Sequence, residues 1–358
     1  MKKTILLVVA FTVGYLFDLM NIPAGWLLGA MLVGAFYRLV IDDISYPNFL
    51  FDLALAIIGI SISLSIKVKM FKEVTSYILP LFVSITILLV ASWILGKVLA
   101  KYSNLDGKTA LFCCLPAGAS VMMALSREYK ANLGMVAAFQ TVRIMMLVST
   151  IPLVAGFMTS FIPTEEVQGK AIKTASQVDM PGWLALIFYL ILIGLTLLLS
   201  KKWRIPIAPF LYAIIVGFLF HTFIQPLPSV PNLGVGIGMA MLGVIIGTRF
   251  DRSSLVEIKN IGWTSAGILL AFFLLTFVVT FVFYLMTPLD FITSLLAIVP
   301  AGAPQMSSVA ASLQLDASIV AAMQVIRLLV LVLIIPMLVP FLVSGNRGDG
   351  SHDSSSAK

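Results

Sequence analysis

The stretches LFCCLPAGASVMMAL at residues 111–125 and LLAIVPAGAPQMSSV at residues 295–309 decide the fold. Each is an apolar run interrupted near its middle by Pro-Ala-Gly-Ala, once at Pro116 to Ala119 and again at Pro300 to Ala303, an offset of 300 − 116 = 184 residues. With no gap, the same offset carries Asp106 to Asp290, Thr109 to Thr293, Met122 to Met306, Gln140 to Gln324, Arg143 to Arg327 and Pro152 to Pro336. Farther upstream it carries Gly59 to Gly243 and Glu73 to Glu257, while Ile22-Pro23 maps to Ile205-Pro206 at 183, so a one-residue indel lies between. Chance does not hold one register over so many polar positions. The pattern predicts a tandem duplication of one membrane unit, a design common among secondary transporters, whose sites lie where the repeats meet.

Composition agrees. Of 358 residues, 60% are apolar and 11% charged, against about 25% charged in an ordinary soluble protein. A mean hydropathy of +1.07 leaves too little polar surface to coat a globule in water. This excludes a disordered chain and a conventional soluble enzyme. Cys113 and Cys114 are adjacent in an apolar run, which suits neither a disulfide framework nor a metal site. The net charge of +7 sits at the ends of apolar runs, at Lys67, Lys69, Lys72, Lys97, Lys101, Lys201, Lys202, Arg204, Arg249 and Arg252. That distribution is expected of membrane loops, and no nucleic-acid partner is implied.

Runs long enough to enter or cross a bilayer fall near 4–17, 22–40, 48–66, 74–98, 109–126 and 132–158, then near 182–200, 205–224, 231–248, 260–286, 291–312 and 317–343. The expected fold is an all-α polytopic membrane protein of ten to twelve membrane elements, with a Pro-Gly broken helix in each half. Its expected parts are a membrane repeat over 1–163, a linker over 164–181, a second repeat over 182–343 and a disordered tail over 344–358. An even number of crossings per unit gives parallel repeats and an odd number inverted ones. The basic stretches around Lys67 to Lys72 and Arg249 to Lys259 favour the same orientation, but Lys97 to Lys108 then falls on the wrong side.

Function is sought where polar groups recur at membrane depth, because such groups are costly and face a bundle interior or a water path. Arg143 with Gln140, and Arg327 with Gln324, share a helix face three residues apart. Two readings stand side by side. Each guanidinium caps carbonyls of a broken helix or pairs with a carboxylate such as Asp106, Asp290, Glu128 or Asp316; or the two together cradle an oxyanion. The breaks favour an anion, since a helix restarting after Gly118 or Gly302 presents free N–H groups and a positive dipole end, with Ser120, Gln305, Ser307 and Ser308 just beyond. The plainer alternative is a kink that lets neighbouring helices pack. Asp106 and Asp290 are read as helix N-caps, the alternative being a proton relay. Gly25/Gly29, Gly243/Gly247, Ala30/Gly34 and Ala213/Gly217 read as helix packing. His221 and His352 have no acidic or thiol cluster nearby, so neither a metal site nor a cofactor is expected, and no nucleophile with its base is visible.

The duplicated P-A-G-A with its downstream Q-x-x-R, together with IPAGWLLGAMLVGA at residues 22–35, resembles the bacterial membrane AbrB-duplication family, which is also catalogued under an ammonia monooxygenase label. The likeness runs over about residues 5 to 343. It implies a multi-pass protein of the bacterial inner membrane, sometimes tied to gene regulation, and supplies no substrate. The monooxygenase label implies metal ligands that the sequence lacks, and the similarly named soluble DNA-binding regulator shares no visible feature with it. The expectation is therefore a non-enzymatic carrier or exporter of a small anionic metabolite, coupled to H⁺ or Na⁺, with a homo-oligomer compatible. The alternative is a membrane sensor that affects gene expression through a partner.

Overall fold

The computed structural model describes residues 2–41, 44–103, 105–116, 119–159, 180–203, 207–250 and 252–344. The expected linker, apart from Met180 and Pro181, and the expected tail beyond Ser344 lie outside them. Among the described residues the chain forms fifteen α-helices and one π-helical turn, with no strand. The first series is α1 (Lys2–Leu19), α2 (Gly25–Val40), α3 (Asn48–Ser63), α4 (Val68–Tyr102), α5 (Gly107–Cys114), α6 (Ala119–Glu128) and α7 (Leu133–Thr159). The second is α8 (Gly182–Lys202), α9 (Ala208–Leu219, followed by the π turn Phe220–Ile224), α10 (Asn232–Gly247), α11 (Arg252–Ile261), α12 (Trp263–Met286), α13 (Phe291–Ile298), α14 (Ala303–Ser312) and α15 (Ala317–Ser344).

The bounds of α3, α5 and α6 recur in α10, α13 and α14 at an offset of 184 at both ends. Backbone conformation recurs as well, at 183 before the indel and at 184 after it. The residues before α2 and α9, Ala24 and Ile207, are both left-handed at φ 54 and φ 56, and Lys130 and Gln314 are left-handed at φ 56 and φ 57. One element departs. α4 is a single helix of 35 residues, whereas the corresponding span is split into α11 and α12 by Gly262 at φ 76. Only glycine takes that conformation without strain.

Five helices are long and apolar enough to cross a membrane, namely α4, α7, α8, α12 and α15. α2, α3, α9 and α10 are apolar but shorter, and they meet in the centre. Small residues let their backbones touch, as expected for the glycine pairs. A Cβ on Gly34 of α2 would stand 2.5 Å from Val244 O of α10, and one on Gly59 of α3 would stand 2.8 Å from Phe210 O of α9. So α2 of the first series packs on α10 of the second, and α9 of the second packs on α3 of the first.

Two contacts set chain direction. Thr264 Oγ1, at the start of α12, donates to Tyr102 O, at the end of α4, at 3.1 Å. α12 therefore begins where α4 ends, and each of the two is long enough to cross a bilayer. The second contact is Asn132 N donating to Thr109 Oγ1 at 2.9 Å, which returns the end of α6 to the start of α5. The Phe112 and Tyr129 rings, 6.0 Å apart, line the same closure. The 109–126 run thus folds back on itself as an α5–α6 hairpin. Lys69 and Lys72 lie within the first turns of α4, at the end of a 35-residue helix, rather than in a loop.

Candidate functional site

α5 and α13 are only eight residues long and end at the two breaks, so their last carbonyls have no partner within the helix. In lipid no water can supply one. α7 and α15 supply it instead. Gln140 Nε2 donates to Phe112 O at 3.0 Å and Leu115 O at 3.1 Å, and Arg143 Nη1 donates to Cys114 O at 3.3 Å and Leu115 O at 3.1 Å. Arg143 Nη2 donates to Gln140 Oε1 at 2.5 Å, which holds the amide in the orientation its own bonds need. The second series repeats every contact. Gln324 Nε2 donates to Leu296 O at 2.6 Å and Val299 O at 2.9 Å, Arg327 Nη1 donates to Ile298 O at 2.5 Å and Val299 O at 2.9 Å, and Arg327 Nη2 donates to Gln324 Oε1 at 2.7 Å.

The first of the two readings of the arginines therefore has its geometry, with carbonyls rather than carboxylates as partners. A cation at the C-terminal end of a helix is also favoured by the helix dipole. Engagement is incomplete, however. Both guanidiniums are buried, Arg143 2% and Arg327 6% exposed, and the Nε of each has no hydrogen-bond partner. α7, which carries Arg143, packs against α13 of the other series, and the Arg143 guanidinium carbon sits 4.8 Å from the centre of the Phe272 ring of α12. Phe272 was not singled out from the sequence because its counterpart at the 184 offset is Leu88.

Beyond each break a new helix starts, α6 at Ala119 and α14 at Ala303. Gly302 holds φ 106, and a Cβ there would collide with Gln305 Oε1. Ser307 and Ser308 turn inward, donating to Ala303 O at 2.6 Å and Gln305 O at 2.8 Å, so their hydroxyl protons are engaged within α14. Gly118 and the Ser120 side chain lie outside the described residues. Asp106 and Asp290 are N-caps: their Oδ2 atoms accept from Thr109 N at 3.1 Å and Thr293 N at 2.8 Å. Asn132 and Asp316, which differ in type, do the same work at α7 and α15, accepting from Met135 N at 3.1 Å and Ile319 N at 3.1 Å. No group of three or more His, Cys, Asp or Glu side chains able to hold a metal exists among the described residues.

A half-open cavity of about 410 Å³ lies between the start of α4, α9 and α15. Met70, Phe71, Phe218, Ala322 and Ile326 are among its lining residues, and Ile326 is the neighbour of Arg327.

The model of a family described as transition state regulatory protein AbrB matches residues 3–64 and 26–343. The chain belongs to the AbrB family. Among its relatives is the Bacillus subtilis (strain 168) protein named "Uncharacterized protein YhjN", 23% identical over 346 residues, covering 89% of this chain and 87% of the relative. Another is the Escherichia coli (strain K12) protein named "Putative regulator AbrB", 24% identical over 311 residues, covering 86% of this chain and 87% of the relative. The family match spans both breaks and both arginines of this AbrB-family chain. Its several apolar helices of spanning length make it a multi-pass membrane protein.

Proposed function

We propose that this AbrB-family chain is a secondary carrier of a small anionic metabolite, built as a tandem duplication whose halves run in opposite directions through the bacterial inner membrane. The observation that carries the reading is the pair of mid-chain breaks, each held open by a buried Arg-Gln pair and each followed by a fresh helix N-terminus. Two positive charges and two positive dipole ends near one another, away from water, form a place where an anion is stabilised.

In this reading the arginines shape the site as well as charge it. Their Nη groups fix the carbonyl sides of the breaks, so that the N–H sides of α6 and α14 stay free for the substrate, and each unpartnered Nε adds a donor. The chain binds and releases; it is a carrier and not an enzyme, and it needs no cofactor. Exporting or importing an anion against an inside-negative potential calls for H⁺ or Na⁺ to travel with it. Asp106 and Asp290, as caps, are not the groups that carry a proton.

The test is reconstitution of the full chain into proteoliposomes preloaded with unlabelled organic acids, followed by entry of labelled ones with and without a pH or Na⁺ gradient. Saturable exchange is the expected result. Absence of exchange for every acid tried, with a regulatory phenotype in a deletion strain, would favour the second reading, a membrane component acting on gene expression through a partner. That reading draws on the name given to the Escherichia coli relative.

A further inference from the structure

The two breaks differ at one position that matters for recognition: Gln305 stands where the first series has Val121. Gln305 is the third residue of α14 and is 8% exposed, and its Oε1 is buried without a hydrogen-bond partner. That oxygen is turned back toward the start of the helix, against Gly302. Around it the N–H groups of Gly302, Ala303 and Gln305 make no hydrogen bond among the described residues, and Pro304 has none to offer; Met306 N, donating to Gly302 O at 3.1 Å, is the first that does. Three unbonded backbone N–H groups and one buried unpaired acceptor thus fall within the N-cap and first turn of α14.

A glutamine at this place in a helix can reach back to the N-cap N–H and close a capping box. Here it does not close it, because no bond forms between Gln305 Oε1 and Gly302 N–H. A bare carboxylate would satisfy the N–H groups but would set its own oxygens against Oε1. A ligand with a hydroxyl beside its carboxylate satisfies both. An ammonium in the same position would bring a third positive charge near Arg143 and Arg327, so the hydroxyl is the better fit.

We propose that Gln305 makes the site selective for 2-hydroxycarboxylates, its Oε1 accepting the substrate hydroxyl while the carboxylate takes the free N–H groups at the start of α14. This rests on the anion-carrier reading. The test uses the full chain in lipid nanodiscs, titrated calorimetrically with two probe pairs that differ only by the hydroxyl, lactate against propionate and malate against succinate. The hydroxylated member of at least one pair binds about tenfold or more tightly, as expected when a buried acceptor is otherwise left unpaired. Gln305→Leu abolishes the preference and binds both members alike. Gln305→Glu, which caps a helix as well as glutamine does, keeps the melting temperature of the parent but loses both ligands, because it adds a negative charge where the anion sits. Equal affinity of the parent for both members of each pair overturns the proposal, as does a Gln305→Glu protein that binds normally, which would place the side chain away from the bound anion. If the parent binds none of the four acids, the anion-carrier reading falls first and the selectivity with it.

Discussion

At the residue scale, a buried arginine is costly, at ~2.5–3.5 kcal/mol on insertion scales for a place at the membrane centre, and what offsets that cost is geometric. The guanidinium fork reaches two carbonyls and one amide oxygen at once. Lysine offers a point charge in place of a fork. Arg143→Lys and Arg327→Lys are therefore expected to lower the stability of the detergent-solubilised protein by about 1–3 kcal/mol, the range for leaving a buried hydrogen-bonding group unsatisfied. A thermal melt on size-exclusion chromatography reads this. Unchanged melting of both variants would show that the carbonyls do not depend on the fork. The caps behave differently. Asp106→Asn and Asp290→Asn are expected to keep both stability and transport, including its pH dependence, whereas the corresponding Ala variants lose ~1 kcal/mol. A proton-coupled uptake that disappears in the Asn variants at normal expression would return these carboxylates to a relay.

At the element scale, the second break depends on glycine conformation as well as on charge. Gly302→Ala would place a Cβ against Gln305 Oε1 at φ 106, a strain of ~1–3 kcal/mol, and is expected to reduce binding of any anion at α14. Gly262→Ala meets no neighbour but loses the positive φ that divides α11 from α12. The expected outcome is a shift toward a continuous helix like α4, read as altered cysteine accessibility along residues 255–263. How far the sequence carried the site can be judged from these same elements. The 184-residue register located both arginines, both glutamines, both caps and both breaks, because each is a polar or helix-breaking residue that stands out in an apolar run. The fold-back of α5 on α6 was not legible. Its signal is a single bond from Asn132 N to a threonine hydroxyl, and periodicity cannot tell eight residues in and ten residues back from one kinked crossing. The division at Gly262 was equally hidden, since one glycine in an apolar run is tolerated in many helices.

At the scale of the whole molecule, the proposal that the halves run in opposite directions draws on where helices begin and end. α4 and α12 correspond at the 184-residue offset, yet α12 starts beside the end of α4, at Tyr102 and Thr264. Two packed helices in that relation run in opposite directions, which supports the proposed inverted arrangement of the halves. The proposed inversion further takes α5–α6 to enter and leave on one side, which leaves α1, α2, α3, α4 and α7 of the first half, an odd number, with α4 and α7 of spanning length and α2 and α3 shorter. Ser103, just past α4, and Thr287, just past α12, then lie on opposite faces of the membrane. In a chain whose Cys113 and Cys114 are replaced by alanine, Ser103→Cys and Thr287→Cys are expected to react with a membrane-impermeant maleimide from opposite sides, one in intact cells and the other only in inverted vesicles. Labelling of both from the same side would mean parallel halves, and the shared central site between two opposed hairpins would go with it.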